Sequence, residues 1–219
     1  MKIGFSKLAV TVLAGGLMMM TFILTPVSAV AVSSLSSDAI TVTNKYTIED
    51  ESGTNTRYVL VATNATAFDI SVEADFYAIG KDNSFLYHVS DFTDAVSAGQ
   101  EFMIYGQFPN DIAEQTDHVE YSLSITAVDN CAYDEVDVTA VSMNGNTLKV
   151  EGTNYSDEDV QGVNIRTVFL KDGSAVGFNT VNIADSGYTL GSGNTNSQEI
   201  GQLVSDYDSY ILTYTTCVP

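Results

Sequence analysis

The chain has 219 residues and carries 8 Lys plus Arg against 28 Asp plus Glu, a net charge of −20, yet only 16% of its residues are charged and 45% are hydrophobic. That balance excludes a disordered acidic tail, which would be far poorer in apolar residues. Eight basic residues cannot build the positive face that nucleic acid demands, and an anionic membrane surface would repel the chain.

The predicted elements begin with an address. Lys2 and Lys7 precede an uncharged stretch from Leu8 to Leu24, Thr25-Pro26 breaks it, and Val27-Ser28-Ala29 has the small-x-small form of a signal-peptidase site. Residues 1–29 read as a secretory signal peptide, and residues 30–38 as a linker. Left uncleaved, residues 8–24 would approach the length of a membrane anchor. Cleavage removes two lysines and no acids, leaving six basic residues against 28 acidic ones, a net charge of −22. The expected location is extracellular.

A repeat follows. Thr63-Asn64-Ala65-Thr66 and Thr153-Asn154-Tyr155-Ser156 lie 90 residues apart. Each comes after a run that reads as a strand, Tyr58–Ala62 and Leu148–Gly152. Each precedes a longer alternating run, Ile70–Tyr77 and Val163–Leu170, and then Lys81-Asp82 or Lys171-Asp172. A small polar loop comes later in each copy, Ser97–Glu101 and Gly193–Glu199. Tyr-rich strands close both, His118–Ile125 and Asp208–Tyr214. Such correspondence in order and type marks a tandem repeat. Period-two alternation, abundant Val, Ile, Thr and Tyr, and regularly spaced turns predict strands rather than helices. The second copy is expected to hold strands near 136–143, 147–154, 160–170, 175–183, 198–203 and 208–216. The expected fold class is all-β: two tandem immunoglobulin-like β-sandwich domains, residues 39–130 and 131–219, after the signal peptide.

The order of these features, an apolar strand, an Asn-x-Ser/Thr turn, an alternating strand ending in aromatic residues, Lys-Asp and a Gly-Gln or Gln-Glu loop, resembles the FxLYD-type immunoglobulin-like domains of exported bacterial proteins. Phe76-Tyr77 and Val168-Phe169 stand at the family's aromatic pair, and Ala98-Gly99-Gln100 stands where the family reads Pro-Gly-Glu. Ala78-Ile79-Gly80 intrudes before Lys81-Asp82, and the second copy has no evident counterpart of Pro-Gly-Glu. The resemblance implies a surface or accessory module without a catalytic motif, and it supplies no functional residues.

Candidate chemistry is sparse. Cys131 and Cys217 are the two cysteines, one just before the second copy and one at its end. An exported chain with an even count suggests a disulfide, which would close that copy into a loop and add on the order of 4 to 5 kcal/mol at most. Two free thiols are the alternative. Asp129, Asp134, Glu135 and Asp137 gather at the junction of the copies and are the candidate ligands for a calcium ion. Solvated acidic turns are the alternative for them, as for Asp157, Glu158 and Asp159. No cofactor is expected otherwise. Asn64 and Asn154 head glycosylation-type triplets, but Asn before Ser or Thr also builds an Asx turn between strands. His88 and His118 could pair with Asp91 or Asp117, yet no nucleophile motif accompanies them. Tyr121, Tyr210 and Tyr214 are expected on sandwich faces rather than on a ligand platform. The expected role is therefore a secreted, non-catalytic interaction or adhesion module with a protein or glycan partner. A structural subunit or spacer is the alternative, and a small hydrolase comes last. With few prolines and lysines to guard the sheet edges, self-association through them is also expected.

Overall fold

The computed structural model describes residues 39–143, 146–204 and 206–219, so the expected leader lies outside the described residues. Thirteen strands run in order: β1 (Ile40–Glu49), β2 (Asn55–Asn64), β3 (Ile70–Gly80), β4 (Phe85–Val96), β5 (Glu101–Pro109), β6 (Thr116–Ala127), β7 (Val136–Ser142), β8 (Leu148–Asn154), β9 (Val160–Lys171), β10 (Ser174–Ile183), β11 (Thr189–Leu190), β12 (Thr195–Ile200) and β13 (Ser209–Cys217). One helical turn, α1 (Asn110–Ala113), and a 3-10 turn at Tyr133–Glu135 interrupt them. The described residues are nearly all β, as their alternation predicts.

Among the described residues all pairings are antiparallel, and the strand order repeats. Residues 39–127 form two sheets, β1-β2-β5 and β4-β3-β6. The later residues form β7-β8-β12 and a sheet in which β10 and β13 flank β9. Each first-half strand thus has a counterpart, with one exception. β4 runs unbroken to Val96, whereas its counterpart is cut by residues 184–188 into β10 and β11. The two-residue β11 is absent from the predicted strands. The strand expected at 198–203 instead spans Thr195–Ile200, because a polar edge strand such as Thr-Asn-Ser-Gln-Glu carries little apolar signal. Asp172-Gly173, both with positive φ (51° and 78°), makes the two-residue turn that matches the twist of the β9–β10 hairpin.

Alternate residues fill a core inside each half. Leu60, Ala62, Phe102 and Ile104 meet Val72, Ala74, Phe76 and Ala78 in the first. Leu148 and Val150 meet Val163, Ile165, Phe169 and Ile183 in the second. At Gly106 the sheets approach so closely that a Cβ would lie 2.8 Å from the Phe76 ring. A third core joins the halves: Ile48, Val59, Val61 and Met103, on the far side of β1-β2-β5, pack on Val168 and Phe178 with Tyr105, Leu170 and Ile211 around them. The sheet β1-β2-β5 is therefore buried on both faces. Val59, Leu60, Val61 and Ala62 are accordingly all at most 1% exposed, without the alternation of a strand covered on one face. The described residues form one compact unit of four stacked sheets, in the order β4-β3-β6, β1-β2-β5, β10-β9-β13 and β12-β8-β7.

Candidate functional site

The repeated asparagines come first, because they decide between modification and structure. Asn64 and Asn154 are fully buried. Asn64 Nδ2 donates to the carbonyls of Phe68 (2.8 Å), Val96 (3.2 Å) and Ser97 (3.0 Å), while its Oδ1 accepts from the Thr66 amide and hydroxyl. Asn154 Nδ2 donates to Glu158 (2.9 Å) and Leu190 (3.1 Å), and its Oδ1 accepts from the amide and hydroxyl of Ser156. These are Asx turns that also staple the loop to the end of β4 in one half and to β11 in the other. A glycan on either nitrogen would displace those bonds.

Cys131 and Cys217 face each other across an isolated antiparallel bridge. The flanking bonds, Ala132 N to Thr216 O and Val218 N to Asn130 O, make this a narrow, non-hydrogen-bonded pair, the kind whose side chains lie closest. The two sulfurs are placed opposite each other but are not bonded in this structure. Burial pushes the Cys131 thiol up to about 11 and raises that of Cys217. The candidate calcium ligands do not converge. Asp129 lies in the loop after β6, Asp134 and Glu135 lie in the 3-10 turn, and Asp137 lies on β7. Among the described residues no three His, Cys, Asp or Glu side chains are gathered to hold a metal. In the second acidic turn, Asp159 Oδ1 accepts the Ser192 amide (3.0 Å).

The histidines sit on solvent-facing strand surfaces. His88 pairs with Asp75 (2.7 Å) rather than Asp91, and it stacks on Tyr77. Ser90 also donates to Asp75 (2.7 Å) and lies 3.3 Å from the same His88 nitrogen. Serine, histidine and aspartate thus meet, but the carboxylate occupies Nε2, the nitrogen a base would turn toward the serine, and leaves Nδ1 without it. His118 lies beside Asp117 (3.2 Å). Tyr121 and Tyr214 pack against the two cores, while Tyr210 is 37% exposed.

The contact between the halves is where sequence reasoning missed the most. Arg166 interrupts the apolar face of β9, with only 11% of its side chain exposed. It holds both oxygens of Asp91 in a bidentate pair, donates to Met103 O (2.8 Å) and lies over the Tyr105 ring. Asp91 in turn accepts the Tyr105 amide (2.9 Å). Gln100 Nε2 donates to Tyr214 O, and Arg57 Nη1 to Phe178 O (3.1 Å), so three polar anchors surround the apolar contact. The signal was available: Arg166 sits in mid-strand beside the apolar run Val168–Leu170, and an Arg is almost never buried unless paired.

Beyond Arg166 the facing sheets part and leave a groove of about 490 Å³. Its floor is a registered row across three strands, Asn182 on β10, Asn164 on β9 and Thr215 on β13, with Gln161 beyond. Asn164 Nδ2 donates to Asn182 Oδ1 (3.1 Å), and its own Oδ1 accepts Arg166 Nε (3.1 Å). Phe92 and Asp94 from β4 stand on one side and Tyr188, in the segment that interrupts β10 and β11, on the other. Both rings are exposed, Phe92 by 51% and Tyr188 by 72%.

No family model and no curated protein matches the chain. Among solved structures, it is similar to the crystal structure of red sea bream transglutaminase, at 11% identity and a TM-score of 0.29. The match covers 82% of this chain and 31% of the other, so the chain spans about a third of that protein, and at this score the likeness decides nothing about fold family or activity.

Proposed function

We propose that the protein is an exported, non-catalytic pair of immunoglobulin-like sandwiches, related to the FxLYD-type domains, that serves as a rigid surface interaction or adhesion module. The observation that carries this reading is the joint between the halves. A shared apolar core ringed by Arg166–Asp91, Gln100–Tyr214 and Arg57–Phe178 fixes the two halves and holds open a groove between them. Rigid preorganisation lowers the entropic cost of binding, which suits an interaction module. The leader sequence supports export, and the strong negative charge supports partners other than nucleic acid or anionic lipid. The test uses protein recovered from the medium of cells expressing the full chain, beginning near residue 30, and labelled for binding to intact cells of the source. Saturable binding without turnover of hydrolase substrates is the expected result. Retention of the chain inside the cell, or a turnover abolished by a point substitution, overturns the proposal.

One observation favours a second reading, a subunit of a surface assembly. β6 is a 12-residue edge strand hydrogen-bonded on one side to β3 and to no other strand among the described residues. Such an edge can accept a strand from another copy. Light scattering at micromolar concentration separates the readings: growth with concentration supports assembly, and a constant monomer mass removes it.

A further inference from the structure

We propose that the groove between the halves binds an uncharged oligosaccharide. This deepens the interaction-module reading and rests on it.

Three features of the groove carry the inference. The first is how one sheet face changes along its length. Toward half one, the sheet β10-β9-β13 begins with an apolar registered row packed in the joint, Phe178 and Val168 buried and Ile211 partly so. The next row is Thr180, Arg166 and Thr213, and the next is Asn182, Asn164 and Thr215. Where the face emerges from cover it carries amides and hydroxyls, not the acids that make up most of this chain's charge. Amide side chains offer a donor and an acceptor from one group, which matches the paired donor and acceptor character of sugar hydroxyls. The second feature is the aromatic rim. Phe92 and Tyr188 both line the groove and are exposed, and the C–H face of a pyranose is an apolar surface suited to aromatic rings. The third is charge. Arg166 already engages both Asp91 oxygens and the Met103 carbonyl, so it offers an anion no free positive charge, while Asp94 on the rim repels one. The volume lies within the usual range of small-ligand sites, roughly 300 to 1,000 Å³.

The experiment titrates the full chain with cellotriose, maltotriose, mannotriose and chitotriose. Trigalacturonate serves as the anionic comparator, and N-acetyl-triglycine amide tests whether the floor reads peptide instead. Saturation-transfer NMR and calorimetry supply the readouts. At least one neutral trisaccharide binds with a Kd of about 1 mM or tighter. Tyr188→Ala and Asn182→Ala each weaken it about tenfold without moving the melting temperature, both side chains being exposed. Tyr155→Ala, another exposed ring that does not line the groove, leaves binding unchanged. The inference is overturned if no neutral trisaccharide binds, if trigalacturonate or the peptide binds in preference, or if Tyr188→Ala and Tyr155→Ala behave alike. Cell binding that survives Tyr188→Ala while the trisaccharides fail sinks the groove alone. Absence of cell binding by the unsubstituted chain sinks the module reading and leaves the titration to judge the groove.

Discussion

In the first half the doubly buried sheet is β1-β2-β5, whereas in the second it is β10-β9-β13, the counterpart of the first half's outer sheet. The same strand order therefore supports opposite surfaces. The first half spends the back of its β2 on the joint, reading Val59 and Val61 there, and the second spends the back of its β9, reading Arg166 and Val168. The counterpart of β2, β8, faces solvent on that side with Lys149 and Glu151, paired at 2.9 Å. Strand order thus fixes what each half buries inside itself. Which outer face becomes an interface is set by a handful of side chains.

The largest test breaks the joint. Arg166→Met leaves the partly buried Asp91 without its partner and is expected to cost about 3 to 5 kcal/mol, with much of the loss recovered in Arg166→Met/Asp91→Leu. Differential scanning calorimetry should show the single mutant melting in two steps as the halves uncouple. A single unshifted transition would remove the lock.

Next comes a gain confined to the second half. Glutathione disulfide should oxidise the Cys131 and Cys217 thiols to an intramolecular disulfide, releasing two glutathione thiols and lowering the mass by two daltons. The second half then gains no more than about 5 kcal/mol. Because burial raises both thiols, Cys131 up to about 11, the reaction is slow at pH 7 and quickens as the pH climbs above about 9. Rapid alkylation of the reduced protein at neutral pH would contradict this.

The repeated turns sharpen the comparison directly. Asn64→Ala strands three carbonyls and Asn154→Ala two, so urea unfolding should show losses of about 3 and about 2 kcal/mol, in that order. Reversal of the order would show that the staple is not what the amide contributes.

The smallest effect is in acid. Asp50 in the first half is held below the usual carboxylate range by the Asn55 amide and then by Thr54 and Ser52. Asp185 in the second is held down by Asn194 and then by the Gly191 amide. A folded-state value below the unfolded one gives stability that is present above about pH 4 and lost as the pH falls through and below that value. Urea midpoints at pH 7, 4 and 3 should therefore fall, and Asp50→Ala should flatten that fall more than Asp185→Ala, since four donors surround the first carboxylate and two the second.

Much of the fold was legible. Alternation located β3, β6, β8 and β9, and the Asn-x-Ser/Thr triplets marked real turns because a buried Asn is the residue that both turns the chain and ties it down. The apolar run Val59–Ala62 held a message that alternation alone concealed: a strand apolar on every position is covered on both faces. β12 stayed hidden because an edge strand needs little apolar character, and β11 because two residues carry no period. The groove was not legible at all. Asn164, Asn182 and Thr215 come from three strands and meet only through strand register, and Phe92 and Asp94 come from the other half.

The joint sets the front of one half against the back of the next, so the operation relating the halves is closer to a translation than to a two-fold rotation. Contacts of that kind do not close on themselves; repeated, they build open-ended arrays. Here the two outermost sheets end the series. Glu73, Asp75 and Ser71 line the free side of β3, and Lys149, Glu151 and Thr153 the free side of β8. They act as caps of the sort that repeat proteins place on terminal units. Copy number in such a stack is thus written in the polarity of its outer strands: exchanging the charges on β8 for the Val-x-Val of β2 would convert a finished pair into a subunit able to accept a third layer pair.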